Sequence, residues 1–189
     1  MASSNILTIK QIIQSENSFI KKNPSLDIMN LASNRIWRNL KKIIFQKKVL
    51  FVCGPGKNGI DGKKVYEIAK QNKFFVKLFN IRTNKKQNFG KLIRETDIVI
   101  DCIFGIGLNR NITGIYKKII KEINQSFKKI ISIDLPSGIN GDTSLIKGLA
   151  IKANITLAMG FYKPAHFLLP GKKFCGDVFL ITLGIKPIC

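Results

Sequence analysis

Residues 47–70 read KKVLFVCGPGKNGIDGKKVYEIAK. An apolar run, VLFV, follows two lysines and stops at a glycine-rich stretch, CGPGKNGIDG (53–62). Beyond it, DGKKVYEIAKQNK (61–73) places Val65, Ile68 and Ala69 on one helical stripe. A short buried strand, a glycine loop and an amphipathic helix together form the opening of an α/β unit.

The same alternation continues outward. KFFVKLFN (73–80), DIVIDCIFG (97–105), KKIISIDLPSG (128–138) and NITLAMG (154–160) predict further strands, each bounded by Gly, Asn or Pro. GDVFLITLG (176–184) predicts a last strand near an edge, and TGIYKKIIKEINQSF (113–127) a helix carrying Ile115, Ile119, Ile120 and Ile123 on one face. Apolar strands alternating with helices imply a parallel sheet covered on both sides. Before the first strand, residues 7–20 and 26–46 predict two helices that pack on the sheet or on a partner subunit. With no repeat, low-complexity segment or linker, residues 1–189 are expected to form one domain, with a helical extension over 1–46 and an α/β core over 47–184.

The 189 residues carry 32 Lys and Arg against 11 Asp and Glu, a net charge of +21. The lysines are scattered among Ile and Asn along the whole chain, so the charge steers polyanions without specifying one, and nucleic acid is not the expected partner. Cys53, Cys102, Cys175 and Cys189 lack zinc-ligand spacing, and the only histidine is His166. Nothing in their spacing suggests a disulfide framework, which fits a reducing compartment. The N-terminus has no continuous apolar core of a signal peptide, and no apolar run approaches a membrane span. A cytoplasmic protein without membrane association is expected.

Ligands of open parallel sheets sit beyond the carboxyl ends of the strands. Gly54–Asp61, Asp101–Arg110, Asp134–Gly138 and Lys163 all fall at such ends, so four loops converge on one rim. The first loop lacks the G-K-[ST] ending of a P-loop. Its Gly54, Gly56 and Gly59 meet the spacing G-x-G-x-x-G, but the second strand ends in Asn80, without the acid that holds a ribose. It is either a backbone nest for an anion or a tight strand-to-helix turn. Asp101 either pairs with a cation or a ligand hydroxyl or braces its own loop. Asp134, ahead of Pro136, serves as a general base, binds a hydroxyl or braces its own turn. Arg110 grips a phosphate or is solvated, Lys163 binds a phosphate or assists as an acid, and His166 is structural or incidental. With one histidine, a Ser-His-Asp or Cys-His arrangement is not expected. Proton transfer on a phosphate-bearing ligand fits better than hydrolysis.

GPGKNGIDG (54–62), DCIFGIGLNR (101–110), IDLPSG (133–138) and ANITLAMGFYK (153–163) stand in one order at natural spacings. Together they resemble the motifs of the NAD(P)H-hydrate epimerase family, also called the YjeF N-terminal domain, over residues 47–184. IMNLASNR (28–35) echoes that family's N-terminal helix faintly. The resemblance implies a Rossmann-like three-layer αβα sandwich with a mostly parallel sheet. It also implies an isomerase that interconverts the R and S epimers of hydrated NADH and NADPH, so that a separate ADP- or ATP-dependent dehydratase restores the cofactor.

Carried over motif by motif, the resemblance implies that Asp134 is the base and that Lys163 assists. It implies substrate contacts from Lys57, Asn58, Gly59, Ile60 and Asp61, from Gly105, Ile106, Gly107, Leu108, Asn109, Arg110 and Asn111, and from Asp134. A potassium ion would be held by Asn58, Asp101 and Ser137, and a homodimer would form through the N-terminal helices. The chain departs from the pattern at Lys57, Ile60 and Ile106, where the family has Asn, Gly and Thr, and at Asn154 and Leu31. Ile60 is expected to strain a backbone that calls for glycine, and Ile106 to remove a hydroxyl beside the phosphate loop. The expected outcome is an active but altered enzyme. The alternative is a catalytically silent module of the same fold that binds protein or RNA; a different nucleotide-binding enzyme on a Rossmann-like sheet is a third reading.

Overall fold

A computed structural model of the chain describes residues 6–84 and 88–188. Cys189 lies outside the described residues. Six strands, β1 (Val49–Cys53), β2 (Val76–Asn80), β3 (Ile98–Cys102), β4 (Lys129–Ile133), β5 (Ile155–Met159) and β6 (Asp177–Ile181), form one sheet in the order β2-β1-β3-β4-β5-β6. Every pairing is parallel, with Val49 opposite Val76 on one side and Ile98 on the other. The chain passes from β1 to β2 and then returns to the far side of β1 for β3. That reversal opens a crevice at the carboxyl ends of the strands.

Alternation along β1 divides the core between the two faces. Val49, Phe51 and Cys53 pack under α2 (Ile28–Ile43) and α3 (Lys57–Gln71), with Ile36, Leu40, Val65 and Ala69 facing them. Leu50 and Val52 point the other way, toward α4 (Phe89–Arg94) and α5 (Gly114–Gln125), where Phe89, Ile93, Ile119 and Ile123 cover them. This is the three-layer αβα arrangement expected from two-sided apolar strands.

Helix α1 (Ile9–Lys22) starts at a capping box in which the Thr8 side chain and Gln11 satisfy each other's backbone N–H groups. It lies on the rim rather than under the sheet. Leu7 N–H donates to Tyr162 O (2.9 Å), Ile9 N–H to Asp142 Oδ1 (2.7 Å), and Ile12 packs with Leu7 and Phe161. The expected strands are present but shorter: β2 starts three residues late, at Val76, and the others stop before their Gly- or Pro-containing tails. Two short helices, α4 and α6 (Lys172–Cys175), were not expected from the sequence.

Candidate active site

The residue after β4 is Asp134, buried and held at φ 71°. A left-handed conformation is uncommon for any residue but glycine, and here every polar group of Asp134 is tied down. Its N–H donates to Leu157 O (2.8 Å), and its carbonyl lies 2.9 Å from His166 Nε2. Carboxylate Oδ1 takes the Lys163 ammonium and, at 3.3 Å, the Met159 N–H. Lys163, only 1% exposed, also donates from Nζ to Met159 O (2.8 Å). A buried ammonium is tolerated only when paired and hydrogen-bonded in this way.

His166 links the two members of that pair through their backbones. Its Nδ1 accepts from Lys163 N–H (3.1 Å), so Nε2 carries the hydrogen and donates to Asp134 O. Burial, and then the neighbouring Lys163 charge, lower its pKa to about 4, so the ring is neutral at physiological pH. The sequence left His166 structural or incidental. The structure gives it a defined place, with both ring nitrogens engaged.

A second polar cluster lies beneath the loops after β3 and β4. Asp101 is fully buried. Its Oδ1 accepts from Ser137 Oγ (2.6 Å) and Ile103 N–H (3.2 Å), and its Oδ2 from Ser132 Oγ (2.8 Å) and Ser137 N–H (2.9 Å). Burial nevertheless pushes its pKa up, against those hydrogen bonds. Ser137 Oγ accepts from Phe104 N–H (2.8 Å), and Asn58 Nδ2 donates to Phe104 O (3.0 Å). Asn58 Nδ2, the Asp101 carboxylate, the Phe104 peptide group and the Ser137 hydroxyl are thus linked in one hydrogen-bonded cluster. Oxygen donors with a single carboxylate suit a hard cation of low charge.

Helix α3 faces this cluster with its N-terminus. The glycine stretch is shorter as a loop than the sequence suggested, because the helix begins at Lys57 and its first turns carry Asn58, Gly59, Ile60 and Asp61. Gly105 fits between Asn58 and Asp134. A Cβ added there would sit 3.2 Å from Asp134 Oδ2 and 3.4 Å from Asn58 Cβ. The loops after β1, β3 and β4 therefore meet at Asp134, and Lys163 joins them from the segment after β5.

Two further carboxylates share this field. Burial, and then the Asp134 charge, raise the pKa of Asp61 to about 6; the same two causes raise that of Glu16. Lys57 opposes the rise in both. Glu16 had no signal in the sequence as a site residue. It stands four residues after Ile12, on the face of α1 that packs on the rim.

Several expectations change. Ile60 is helical, without positive φ and with its side chain half exposed, so no backbone strain attaches to it. Ile106 packs against the apolar clusters of Leu135 and of Phe161, tying α1 to the loop after β3. The side chain of Leu108 is buried with the α5 core, which leaves only its backbone at the rim. Gly107, Asn109, Arg110 and Asn111 are exposed. Asn154 lies at the opposite end of the sheet from Asp134, where its Oδ1 accepts from Ile130 N–H (2.7 Å) at the start of β4. Its departure from the family acid is therefore remote from the site.

Residues 65–165 match the family described as "YjeF-related protein N-terminus". The chain belongs to this family. Among similar proteins is the NAD(P)H-hydrate epimerase of Lentilactobacillus buchneri, 30% identical, in an alignment covering 86% of this chain and 85% of the relative. The bifunctional NAD(P)H-hydrate repair enzymes Nnr of Dictyoglomus turgidum and Thermofilum pendens are 34% and 30% identical, and the chain spans only 36% and 30% of their lengths. The crystal structure of yeast ynu0, YNL200c, superposes with a TM-score of 0.72 over 93% of this chain and 86% of that one, at 18% identity. That likeness establishes a shared fold.

Proposed function

We propose that the protein is an NAD(P)H-hydrate epimerase, an isomerase that interconverts the R and S epimers of NADHX and NADPHX. The observation that carries this reading is the buried Asp134–Lys163 pair, set at the meeting point of the loops after β1, β3 and β4. Inverting C6 of the hydrated nicotinamide requires one bond at that carbon to break and to re-form on the other face. Either N1 expels the hydroxyl, protonated to leave as water, and water re-adds to the other face of the iminium, or the hydroxyl loses its proton as the C6–N1 bond opens to an aldehyde and N1 takes one up. In both routes one proton is delivered and one recovered. Asp134 is the group that gives and recovers it, and Lys163 supplies positive charge beside the C6 oxygen. Half-buried Gly105 and Ile106 would flank the ring and limit stray water.

Lys57, Asn58, Gly59 and Asp61, at the start of α3, and the backbone of residues 105–111 would hold the rest of the substrate, with the helix N-terminus toward its diphosphate. Potassium would be held by Asn58, Asp101 and Ser137, with the Phe104 carbonyl beside them. Bound there, it supplies positive charge that balances Asp101 and ties the loops after β3 and β4 together. Free buried Cys53, Cys102 and Cys175 support a reducing, cytoplasmic setting, and among the described residues no helix is long and apolar enough to cross a membrane. The product S epimer would pass to a separate dehydratase.

The test is epimerisation of purified R-NADHX in potassium buffer, with an S-specific dehydratase as reporter. Turnover well above the spontaneous rate is expected, falling by about a hundredfold or more in Asp134→Asn. Folded protein that gives no acceleration would instead leave a silent binding module.

A further inference from the structure

On the far side of β1 from Asp134, the ends of β1 and β2 enclose a cleft of about 630 Å³ lined by Gly54, Pro55, Lys63, Asn80, Arg82 and Thr83. Given the proposed epimerase reading, we infer that this cleft seats the adenosine end of the substrate and takes a ribose carrying a 2′-phosphate, so that hydrated NADPH is preferred over hydrated NADH.

Topology places the two ends of the ligand. The proton-transfer pair belongs to the ends of β4 and β5, the α3 N-terminus stands at the end of β1, and the cleft lies beyond β2. Three strand spacings separate β2 from β4, about 14 Å. An extended dinucleotide covers that reach with its diphosphate over α3, as in other sheets whose strand order reverses beside the first strand.

Charge then distinguishes the two riboses. A free 2′-hydroxyl is usually held by a carboxylate at the end of β2. Here that position is Asn80, whose Oδ1 already accepts from Arg82 N–H (3.0 Å) and whose own N–H is bonded to Asn84 Oδ1 (3.0 Å). Among the described residues, no acidic side chain lines the cleft. Lys63 from α3 and Arg82 from the turn after β2 do line it. Neither takes part in the ion pairs found among the described residues, which use Lys64, Lys77 and Lys163. A phosphomonoester between Lys63 and Arg82 meets both charges, with the Thr83 hydroxyl on the same wall.

The experiment is calorimetric titration of the whole protein with 2′-phospho-ADP-ribose and with ADP-ribose at about 0.15 M salt, where the general field of the chain is screened beyond about 8 Å. The phosphorylated ligand is expected to bind about tenfold or more tightly, and Arg82→Ala and Lys63→Ala each to remove most of that preference. Equal affinities, or a preference that survives both substitutions, would overturn the inference. Epimerisation measured on the same preparation separates the two readings. Turnover without a phosphate preference removes this inference alone, whereas the preference without turnover removes the proposed activity and leaves the cleft assigned.

Discussion

At residue scale the site depends on a neutral histidine. His166 holds Asp134 by its carbonyl and Lys163 by its N–H, so it fixes the backbones of both groups without reaching solvent. It acts as a positioning residue. His166→Ala leaves two buried backbone groups unpaired, a loss of about 2–4 kcal/mol in stability. His166→Gln retains a donor for the Asp134 carbonyl and is the variant for kinetics. In it, kcat is expected to fall about tenfold with KM within about twofold, since misplaced acid–base groups slow the chemistry more than they weaken binding. A purely structural role would show as lost stability with unchanged kcat. Asp61 offers a pH test. Its pKa is raised from 3.8 to about 6, so the folded state binds the extra proton, and stability is lost as pH rises through that window. Asp61→Asn does not titrate. Its stability relative to the parent is therefore expected to be unchanged below pH 3.8 and to grow to a gain on the order of 3 kcal/mol above pH 6, read by denaturant unfolding across pH. A gain that does not vary with pH would remove burial of the charged carboxylate as its cause.

At the scale of elements, the placement of α3 rests on two glycines. A Cβ on Gly59 would lie 2.0 Å from the Gly54 carbonyl oxygen, and one on Gly54 would lie 2.0 Å from that of Ile103. The first turn of α3 is thus pressed against the ends of β1 and β3, which carries Asn58 to the Phe104 carbonyl. In Gly59→Ala the helix has to back away from rigid backbone. A loss of about 1–3 kcal/mol is expected by thermal unfolding, with a larger proportional loss of activity because Asn58 moves with the helix. Gly56→Ala is the control, since nothing lies within 4 Å of a Cβ there. This packing explains how far the sequence could be read. The strands were legible because VLFV, IVI and IISI are short apolar runs with clear ends, and so was their convergence on one rim. The start of α3 was not, because Gly59 and Gly62 resemble loop residues when they in fact permit close helix–sheet contact. Helix α4 has six residues, too few for its period to register. Asp101, Asp134 and Ser137 stood at strand ends and could be named. Glu16 and His166 join them only through the electrostatic field of Asp134, 118 residues away, and a hydrogen bond to it, 32 residues away, which no local pattern encodes.

For the whole molecule, the net charge of +21 and the buried oxygen cluster both make stability depend on salt, in ways that can be separated. Repulsion among 32 basic side chains weakens the compact state, and added electrolyte screens it irrespective of the cation. Thermal unfolding temperature should therefore rise between about 0.02 and 0.15 M salt in either NaCl or KCl. The Asp101 cluster adds a term that depends on the ion. Its carboxylate is fully buried and accepts only neutral donors, so a cation that fits between Asn58 and Ser137 stabilises the folded state by an amount that grows with the logarithm of its concentration over Kd. At a concentration of 100 Kd that amounts to about 2.7 kcal/mol, or some 5–10 °C for a chain of this size. The expected outcome is an unfolding temperature several degrees higher in 0.15 M KCl than in 0.15 M NaCl, about the range just given. Asn58→Ala should bring the two curves together while keeping their common rise with ionic strength. Superimposed KCl and NaCl curves in the parent protein would take potassium out of the site and leave Asp101 as a carboxylate stabilised by Ser132, Ser137 and the Ile103 amide alone.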